Sequence, residues 1–586
     1  MNFGNAWVVV WVLCCSSVAG AADAPVGVGD RPVGRFMAGR SQVIGAHGMV
    51  ATAQPLASLA ALDVLRDGGS AIDAAIAANA MLGLVEPESC GMGGDLFALI
   101  WDPRARKLIG LNATGRAPRE QTLSQLQARL PGKTSIPLYG SVSVTVPGAV
   151  DGWFTLHARY GRLRMSRILA PAIRYAREGF PVTEVVAAEI HAAVRDFDAN
   201  ADSIEELDNL HKLYRIDGHT PREGQLFRNP DLAASLERIA TAGRDVFYRG
   251  AIASTIDRYM RRINGPLRHA DLAAHHSDWV EPICTNYRGY RVCEMPFNSQ
   301  GMAVLQMLNI LEGYDLSAFA PGGAELLHLQ IEAKRLAYED RARYYADPAF
   351  ARLPSTALLS KEYAAERRKL IDPKRAMATV AAGDASALER GDTTYITVAD
   401  RDGMMVSLIQ SNYSNLGSGL VPDGLGFVLQ DRGNAFSLDP AHANAYAPGK
   451  RPFHTIIPGF AFKGDQPWLS FGVMGGAMQP QGQVQVLINL IDQGMNLQQA
   501  GDAARYYHDG SSRSNRPLSA TPAGIGEVSV ESGIRPTEVE KLRRLGHSVA
   551  VGPAEYGGYE AILRDPDSGV YFGATELRKD GAAMGY

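Results

Sequence analysis

Apolar and polar positions divide the chain into three regions. In the first, "QPLASLAALDVLRDGGSAIDAAIAANAMLGLVEP" has apolar residues at helical spacing, interrupted by Gly68-Gly69, which predicts two packed helices. Ser70 and Asp73 stand where an N-cap and its third-position partner are expected in the second helix. The following "SCGMGGDLFALIWD" predicts a glycine-rich loop that leads into a buried strand.

The second and third regions differ in the spacing of their apolar residues. From about Gly148 to Leu388 helical patterns dominate, as in "AELLHLQIEAKRLAYEDRARYYAD". From Thr394 the pattern changes to short alternating strands and glycine turns, with one further helix predicted in "GQVQVLINLIDQGMNLQQAGDAARYY".

A hairpin is predicted where the third region begins. "TTYITVAD" and "MMVSLIQ" are rich in strand-forming residues, and Asp402-Gly403 between them is a turn dipeptide. A two-residue turn there places Thr393 opposite Asn412 and beside Ser411, so hydroxyl groups meet at the open end of the hairpin. On this pattern alone, the hydroxyls of a polar strand end would bond to local backbone.

The N-terminus resembles a signal for export. An apolar run in "AWVVVWVLCCSSVAGAADAP" is followed by Ala19-Gly20-Ala21, a small-x-small pattern suited to signal peptidase. Residues 1–21 are therefore predicted to be a signal peptide, and the mature protein is expected to be periplasmic or secreted. The alternative is a retained membrane anchor, but the run is short for a membrane span, and no other stretch is long and apolar enough.

Composition and motifs exclude several classes of function. A formal net charge of −4, from 58 basic and 62 acidic residues, gives no field to attract nucleic acid, and no basic run is interleaved with aromatic residues. Phosphate-binding, dinucleotide-binding and nucleophile-elbow motifs are absent, as are H-E-x-x-H and C-x-x-C. No metal or organic cofactor is expected.

The cysteines fit an exported protein. Two of the five lie in the predicted signal peptide. Cys284 and Cys293 bracket "CTNYRGYRVC", where a turn at Arg288-Gly289 brings the two sulfurs opposite each other, so a disulfide is predicted there, with two buried thiols as the alternative. Cys90 is interpreted as a small packing residue.

Seven segments then match one family in its own order. They are "MVATAQPLASLAALDVLRDGGSAIDAAIAANAMLGLVEPESCGMGGDLF", "TVPGAVDGW", "DTTYITVADRDG", "GSGL", "GKRPFHTIIPG", "GVMGGAMQPQ" and "YFGATELRKDGAAMGY". On these segments the chain resembles the γ-glutamyltransferases, also called γ-glutamyltranspeptidases or glutathione hydrolases. The resemblance implies an α+β, N-terminal-nucleophile hydrolase fold, a four-layer αββα sandwich.

The same resemblance implies that the chain processes itself. Cleavage between Asp392 and Thr393, by attack of the Thr393 hydroxyl on the preceding carbonyl, would leave a large subunit of residues 22–392 and a small subunit of residues 393–586. The two subunits are expected to form one αββα unit, as a heterodimer. The freed α-amine of Thr393, with a reference pKa of about 7.7 to 8.0, would then activate its own hydroxyl.

Further catalytic roles carry over by position. Ser411 matches the hydroxyl that hydrogen-bonds the nucleophile's amine, in agreement with the predicted hairpin. Thr394 matches the residue that orients the nucleophile. Gly475 and Gly476 match the pair whose backbone N–H groups form the oxyanion hole.

Substrate-binding positions depart from the family pattern. Tyr413 and Arg432 stand where the family has Asn and Gln, and Ala435 stands where it has the Asp that holds the donor's α-amine. His454 and Thr455 replace a pair of serines that hold the α-carboxylate. The family's arginine position is Thr114, and the nearest arginine, Arg116, is two residues further on.

These departures leave the substrate open among three hypotheses. The first is a γ-glutamyl amide such as glutathione, with water or an amino acid as acceptor. The second is an acidic acyl amide without the amine, such as a glutaryl amide, because Arg116 and Arg432 are expected to grip a carboxylate while the ammonium lacks a partner. A short segment between Phe436 and Arg451 predicts an open cleft. The third is a processed but weakly active binding protein.

Overall fold

Two antiparallel sheets form the centre of the protein. The computed structural model describes residue 36 and residues 39–351, 353–381, 392–518 and 523–586. The predicted signal peptide, residues 1–21, lies outside the described residues. The strands are β1 (Val43–Gly45), β2 (Met49–Thr52), β3 (Asp95–Asp102), β4 (Lys107–Ala113), β5 (Phe180–Pro181), β6 (Leu226–Phe227), β7 (Asp278–Val280), β8 (Ile283–Tyr287), β9 (Tyr290–Glu294), β10 (Asp392–Ala399), β11 (Met405–Tyr413), β12 (Gly459–Lys463), β13 (Gln466–Val473), β14 (Tyr506–Asp509), β15 (Glu527–Val530), β16 (Ser548–Val551), β17 (Tyr559–Arg564), β18 (Tyr571–Thr575) and β19 (Ala582–Gly585).

Helices occupy most of the segments between the strands. They are α1 (Pro55–Arg66), α2 (Ala71–Val85), α3 (Leu123–Arg129), α4 (Ala149–Tyr160), α5 (Met165–Glu178), α6 (Glu184–Ala199), α7 (Asp208–Tyr214), α8 (Pro230–Ala242), α9 (Asp245–Tyr248), α10 (Ala251–Arg262), α11 (His269–Ala273), α12 (Gly301–Leu311), α13 (Ala324–Tyr344), α14 (Ser355–Leu358), α15 (Lys361–Arg368), α16 (Met478–Ile491), α17 (Leu497–Asp502) and α18 (Pro536–Arg544). Within the described part of the chain, no helix is long and apolar enough to cross a membrane.

The sheets and helices stack in four layers. The first sheet has the strand order β19-β2-β10-β11-β3-β4-β7, and the second has β1-β18-β17-β13-β12-β9-β8. Strand β10 contacts β13 and β17 across the interface between the sheets. Helices α1 and α2 cover the outer face of the first sheet, while α12 and α16 cover that of the second. The expected α+β, four-layer αββα architecture is confirmed.

Strand β10 shows why the sheets pack in this way. Ile396 and Val398 belong to the core beneath the helices, whereas Tyr395 and Ala399 belong to the core between the sheets. Successive side chains of a strand point to opposite faces, which explains this alternation. Both faces of β10 carry apolar side chains, since helices cover one face and the second sheet covers the other. The strand is therefore buried on both sides.

Local signals set several element boundaries. Helix α2 begins with a capping box, in which the Ser70 hydroxyl accepts from Asp73 N and the Asp73 carboxylate accepts from Ser70 N. The hairpin β8–β9 has the register that a two-residue turn at Arg288-Gly289 predicts, and Cys284 and Cys293 are disulfide-bonded across it, with their Cα atoms 4.1 Å apart.

The single helix expected near residues 482–507 is wrong: α16 ends at Ile491, α17 follows, and Tyr506 begins a strand. Gly494, with a φ of +67°, lies in the break.

Candidate active site

Thr393 lies at the open end of the β10–β11 hairpin. The predicted two-residue turn is wrong, because Ala399 pairs with Met405 and the loop runs through residues 400–404. The Asp400 carboxylate accepts from the backbone N–H groups of Asp402 and Met404, which stabilises this longer loop. A bulge at Thr393 then pairs Asp392 with Tyr413, so the offset expected from the sequence is restored at the site itself.

Buried side chains fix the two threonines on opposite faces of β10. The Gln479 amide donates to the Thr393 hydroxyl at 3.1 Å, and its own carbonyl oxygen accepts from Ile457 N at 3.0 Å. The Thr394 hydroxyl donates to the Glu86 carboxylate at 2.9 Å. Thr393 and Thr394 are completely buried. The nucleophile candidate therefore has a defined rotamer before any substrate arrives.

Ser411 lies one strand away from Thr393. It pairs in register with Asp95 of β3, and its hydroxyl accepts from Tyr413 N at 2.8 Å. This bond accompanies an unusual backbone at Tyr413, whose φ is +86°. A positive φ is costly for a bulky residue, so the surrounding structure must hold Tyr413 in this conformation.

Gly475 and Gly476 lead from strand β13 to the start of α16. Both have positive φ angles, +96° and +45°, and a side chain at Gly475 would approach Gly557 Cα to 3.2 Å. The Gln300 amide donates to the carbonyls of Thr455 and Gly476, at 2.5 and 2.8 Å. The Gly475 carbonyl accepts from Met478 N at 2.6 Å, and because this carbonyl shares a peptide plane with Gly476 N–H, the direction of that N–H is fixed, as an oxyanion hole requires.

Three substituted positions meet in one buried cluster. The Arg432 guanidinium lies 4.3 Å from the centre of the Tyr413 ring and donates to the Thr455 hydroxyl at 2.8 Å. Ala435, also fully buried, brings no carboxylate to this cluster. The cluster therefore carries a guanidinium, and Ala435 supplies no acid to pair with it.

His454 lies next to this cluster but faces an acid. Its Nε2 atom is 3.2 Å from an Asp95 carboxylate oxygen, and its ring packs edge-on to Phe97. Burial, followed by the charge of Arg432, lowers the pKa of His454 to about 4. His454 is therefore neutral at neutral pH and adds no second positive charge beside Arg432.

Arg116 does not join Arg432. Its guanidinium donates to the Asp278 carboxylate and the His276 carbonyl, both at 3.1 Å, and Arg451 binds the same carboxylate at 2.6 Å. The expectation that Arg116 and Arg432 grip one carboxylate is therefore not supported. A guanidinium already paired with a carboxylate loses that pairing before it can bind another.

A wide cleft opens beside Gly475. It has a volume of about 690 Å³, and its lining includes Gly475, Ser414, Tyr139, Tyr556 and Lys579. None of residues 436–451 lines it among the described residues. Phe436, Leu438 and Tyr446 in that segment instead pack against Leu126 and Leu130 of α3. The short segment therefore leaves the cleft open to large groups.

One acid beside the cleft titrates near neutrality. Asp431 accepts from the backbone N–H and the hydroxyl of Ser414, and burial raises the pKa of its carboxyl group to about 7. Its hydrogen bonds fix Ser414 at the wall of the cleft. Both oxygens of the Asp431 carboxylate therefore accept from Ser414.

Sequence comparison decides the family. The profile described as gamma-glutamyltranspeptidase matches residues 57–586. The chain belongs to the γ-glutamyltranspeptidase family. The Glutathione hydrolase-like YwrD proenzyme of Bacillus subtilis is 35% identical over 93% of this chain and 99% of its own length. The Acylase ACY 1 proenzyme of a Pseudomonas species (strain SE83) is 34% identical over 94% of this chain and 96% of its own length.

A solved structure shows the same fold. The cephalosporin acylase from Bacillus halodurans superimposes with a TM-score of 0.85 at 42% identity, over 96% of this chain and 99% of that one. The fold is therefore that of the N-terminal-nucleophile hydrolases. Members of this γ-glutamyltranspeptidase family are enzymes, and the relatives of this chain include both hydrolases of glutathione type and acylases.

Several site residues were missed by sequence reasoning. Gln479 lies inside the family segment "GVMGGAMQPQ", and Glu86 and Asp95 lie inside "VEPESCGMGGDLF". Their positions in matching segments were a usable signal. Gln300 carried no such signal, because it lies far along the chain from the residues that it holds.

Proposed function

We propose that this protein is an N-terminal threonine hydrolase that cuts its own chain between Asp392 and Thr393. The observation that carries the proposal is the fully buried Thr393 hydroxyl, held by Gln479 at the bulged end of a central strand. In the cut, the Thr393 hydroxyl attacks the Asp392 carbonyl and its oxygen replaces the amide nitrogen. The C–N bond breaks as the ester forms, so the nitrogen takes up the hydroxyl proton and becomes the free α-amine of Thr393. Water then hydrolyses the ester, which releases the Asp392 carboxylate and restores the Thr393 hydroxyl.

The same hydroxyl then attacks substrate amides. The freed α-amine takes the hydroxyl proton, and the oxygen bonds to the substrate carbonyl. The N–H groups at Gly475-Gly476 stabilise the negative oxygen of the tetrahedral intermediate. The proton passes to the leaving amine as the C–N bond breaks, which leaves an acyl ester on Thr393. Water or the amine of an amino acid or peptide then displaces the ester.

The donors proposed first are γ-glutamyl amides, glutathione among them. Family membership over residues 57–586 supports this class. So does similarity to a protein named as glutathione hydrolase-like. Arg432 supplies a positive charge that suits the α-carboxylate of a γ-glutamyl group.

The second candidate is an acylase for acidic acyl groups without an amine. Arg432 and Ala435 favour it, because an ammonium buried beside a guanidinium with no carboxylate partner costs several kcal/mol. The cleft of about 690 Å³ accepts a bulky leaving group. Similarity to acylases, including a cephalosporin acylase, points the same way.

The proposal includes export. The signal-like residues 1–21 would be removed, and the mature heterodimer of residues 22–392 and 393–586 would work outside the cytoplasm. The disulfide between Cys284 and Cys293 supports an oxidising compartment.

Processing is tested on a denaturing gel. Wild type should give two bands, corresponding to residues 22–392 and 393–586, and mass spectrometry of the smaller one should show Thr393 at its N-terminus. Thr393→Ala should give one band, while Thr393→Ser, which keeps a hydroxyl, should still give two. An uncut wild type would overturn the enzymatic proposal and favour a binding protein.

Donor choice is tested with two chromogenic amides. We expect purified enzyme to hydrolyse γ-glutamyl-p-nitroanilide and glutaryl-p-nitroanilide with different kcat/KM. A glutaryl preference selects the acylase, and a strong γ-glutamyl preference rejects it.

The double variant Arg432→Gln with Ala435→Asp should shift the ratio of the two kcat/KM values toward the γ-glutamyl donor by roughly tenfold to a hundredfold, because a charged hydrogen bond contributes about 1.5 to 3 kcal/mol. Arg228→Gln, which removes an exposed guanidinium, should leave the ratio unchanged.

A further inference from the structure

Three buried side chains that the proposed mechanism does not use meet near helix α13. His328 and Glu332 lie four residues apart on one face of this helix, and His547 lies between α18 and β16. The exposed fractions are 0% for His328 and Glu332 and 4% for His547. One potential ligand atom from each lies within 4.8 Å of the other two. None of the three lines the cleft beside Gly475.

The hydrogen bonds of His328 fix which ring nitrogen carries the proton. Its Nε2 atom is 2.8 Å from the Asp372 carbonyl oxygen. A carbonyl only accepts, so Nε2 carries the hydrogen and Nδ1 presents a lone pair. A metal-binding histidine commonly has this arrangement, with one ring N–H donated to a carbonyl and the other nitrogen left to ligate.

The lone pair of His328 points at His547. His328 Nδ1 and His547 Nε2 are 2.8 Å apart. The opposite ring nitrogen of His547, Nδ1, is buried and has no hydrogen-bond partner among the described residues. Because His328 Nδ1 carries no hydrogen, His547 Nε2 donates to it in the metal-free protein. An ion that uses both lone pairs requires the other neutral tautomer of His547, with the hydrogen on Nδ1, and no existing bond at Nδ1 is lost in that change.

Glu332 supplies the third donor in a fixed position. Its carboxylate accepts from Arg335 at 2.8 Å and from Met377 N at 2.9 Å, one bond on each oxygen. A carboxylate has about four acceptor sites, so each oxygen keeps a lone pair. Zinc bonds of about 2.0 to 2.2 Å place tetrahedral ligands roughly 3.3 Å apart, and the two rings need to separate by only about half an ångström.

We propose that His328, Glu332 and His547 form a binding site for a divalent transition-metal ion, with zinc as the best fit. Two neutral imidazoles and one carboxylate suit zinc and do not suit calcium or magnesium, which prefer oxygen ligands only. No local sequence pattern indicates the site, because His328 and His547 are 219 positions apart.

The site joins two parts of the chain. His328 and Glu332 precede the proposed cut and His547 follows it, so in the processed protein one ion would bridge both subunits; this bridging rests on the proposed cut, while ion binding itself does not. Further along α13, the Tyr338 hydroxyl donates to the Ala477 carbonyl at 2.5 Å, directly after the oxyanion glycines. The ion would therefore anchor the helix that supports the oxyanion turn.

Metal content tests the site directly. Purified full-length protein is stripped with chelator, loaded with zinc chloride, dialysed and measured by plasma mass spectrometry. We expect one equivalent of zinc in the wild type and at least about a tenfold loss of zinc affinity in His547→Gln and Glu332→Gln. His211→Gln, which removes a surface histidine bound to Asp198, should keep the full equivalent.

Cobalt provides a readout that needs no variant. In wild type, bound Co²⁺ in a four-coordinate nitrogen and oxygen site should give visible absorption that zinc displaces, and zinc should raise the melting temperature of the stripped protein. Zinc retention equal in wild type and His547→Gln would overturn the proposal. If neither variant folds, a wild type that retains no zinc and shows no displaceable cobalt absorption would also overturn it.

Discussion

Glu294, at the end of β9, is a buried carboxyl group. Its side chain is fully buried, and neither oxygen has a hydrogen-bond partner among the described residues. Burial raises the pKa of Glu294 well above its ordinary value. The group is therefore protonated in the folded protein under conditions in which it is ionised in the unfolded chain.

This pKa shift predicts how stability depends on pH. Because the folded chain binds this proton more tightly, the stability contributed by the neutral carboxyl is complete below about pH 4.3 and is lost as the pH rises toward the folded-state pKa. Glu294→Gln should melt a few degrees above wild type at pH 8 and at the same temperature at pH 4. The exposed Glu362→Gln should match wild type at both values. A constant difference across pH would contradict the assignment.

Single residues also show where sequence reasoning reached its limit. Thr393, Thr394, Gly475 and Gly476 were assigned from the family resemblance, because they lie in segments that match the family in order. Arg116 was assigned to the substrate on proximity in sequence, but Asp278, more than 160 positions away, binds it instead. An ion pair between residues far apart in sequence leaves no pattern around either residue. The segment around Arg116 could therefore not predict it.

Among the elements, helix α2 combines strong local signals with complete burial. Its apolar residues surround the helix, so no polar face identifies its orientation. The Asp73 carboxylate caps α2 and also accepts from the backbone N–H groups of Arg162 and Leu163. One side chain therefore satisfies donors on two segments.

We expect Ser70→Ala to lower the free energy of unfolding by about 1 kcal/mol, because it removes the cap of a buried helix. Asp73→Ala should cost more, since three backbone donors lose their acceptor. Thr122→Ala removes an equivalent cap from the exposed start of α3 and should cost less than Ser70→Ala. Urea denaturation measures all three, and equal losses would show that burial does not increase the effect.

Hairpin β10–β11 shows what local sequence could and could not specify. The two strands and the turn were predicted from residue types, and the four-layer fold was expected from the family resemblance. The turn length was wrong, because the Asp400 side chain stabilises a longer loop than Asp402-Gly403 alone would form. The order of strands in each sheet was not predictable, since pairing depends on contacts between distant segments.

At the scale of the whole molecule, both sheets combine strands from either side of the proposed cut. In the first sheet, β10 lies between β2 and β11, and β11 lies between β10 and β3. In the second, β12 of the later part pairs with β9 of the earlier part. The two subunits would therefore share continuous ladders of hydrogen bonds and both hydrophobic cores.

This arrangement predicts that the processed subunits do not separate under native conditions. Size-exclusion chromatography should give one peak containing both bands, at the elution volume of uncut Thr393→Ala. Addition of denaturant should release both subunits in a single cooperative transition. Separate native peaks would contradict the shared sheets.

The place of β10 inside its sheet has a consequence for the order of events during maturation. Thr393 can meet Gln479, 86 positions further along the chain, only after β10 has been inserted between its neighbours and α16 has packed behind it. Cleavage of the backbone would then occur only in molecules whose sheets and helices are already assembled. In a misfolded molecule the Thr393 nitrogen would remain in its peptide bond, so the catalytic α-amine would not be free. Activity would therefore appear only in correctly folded molecules.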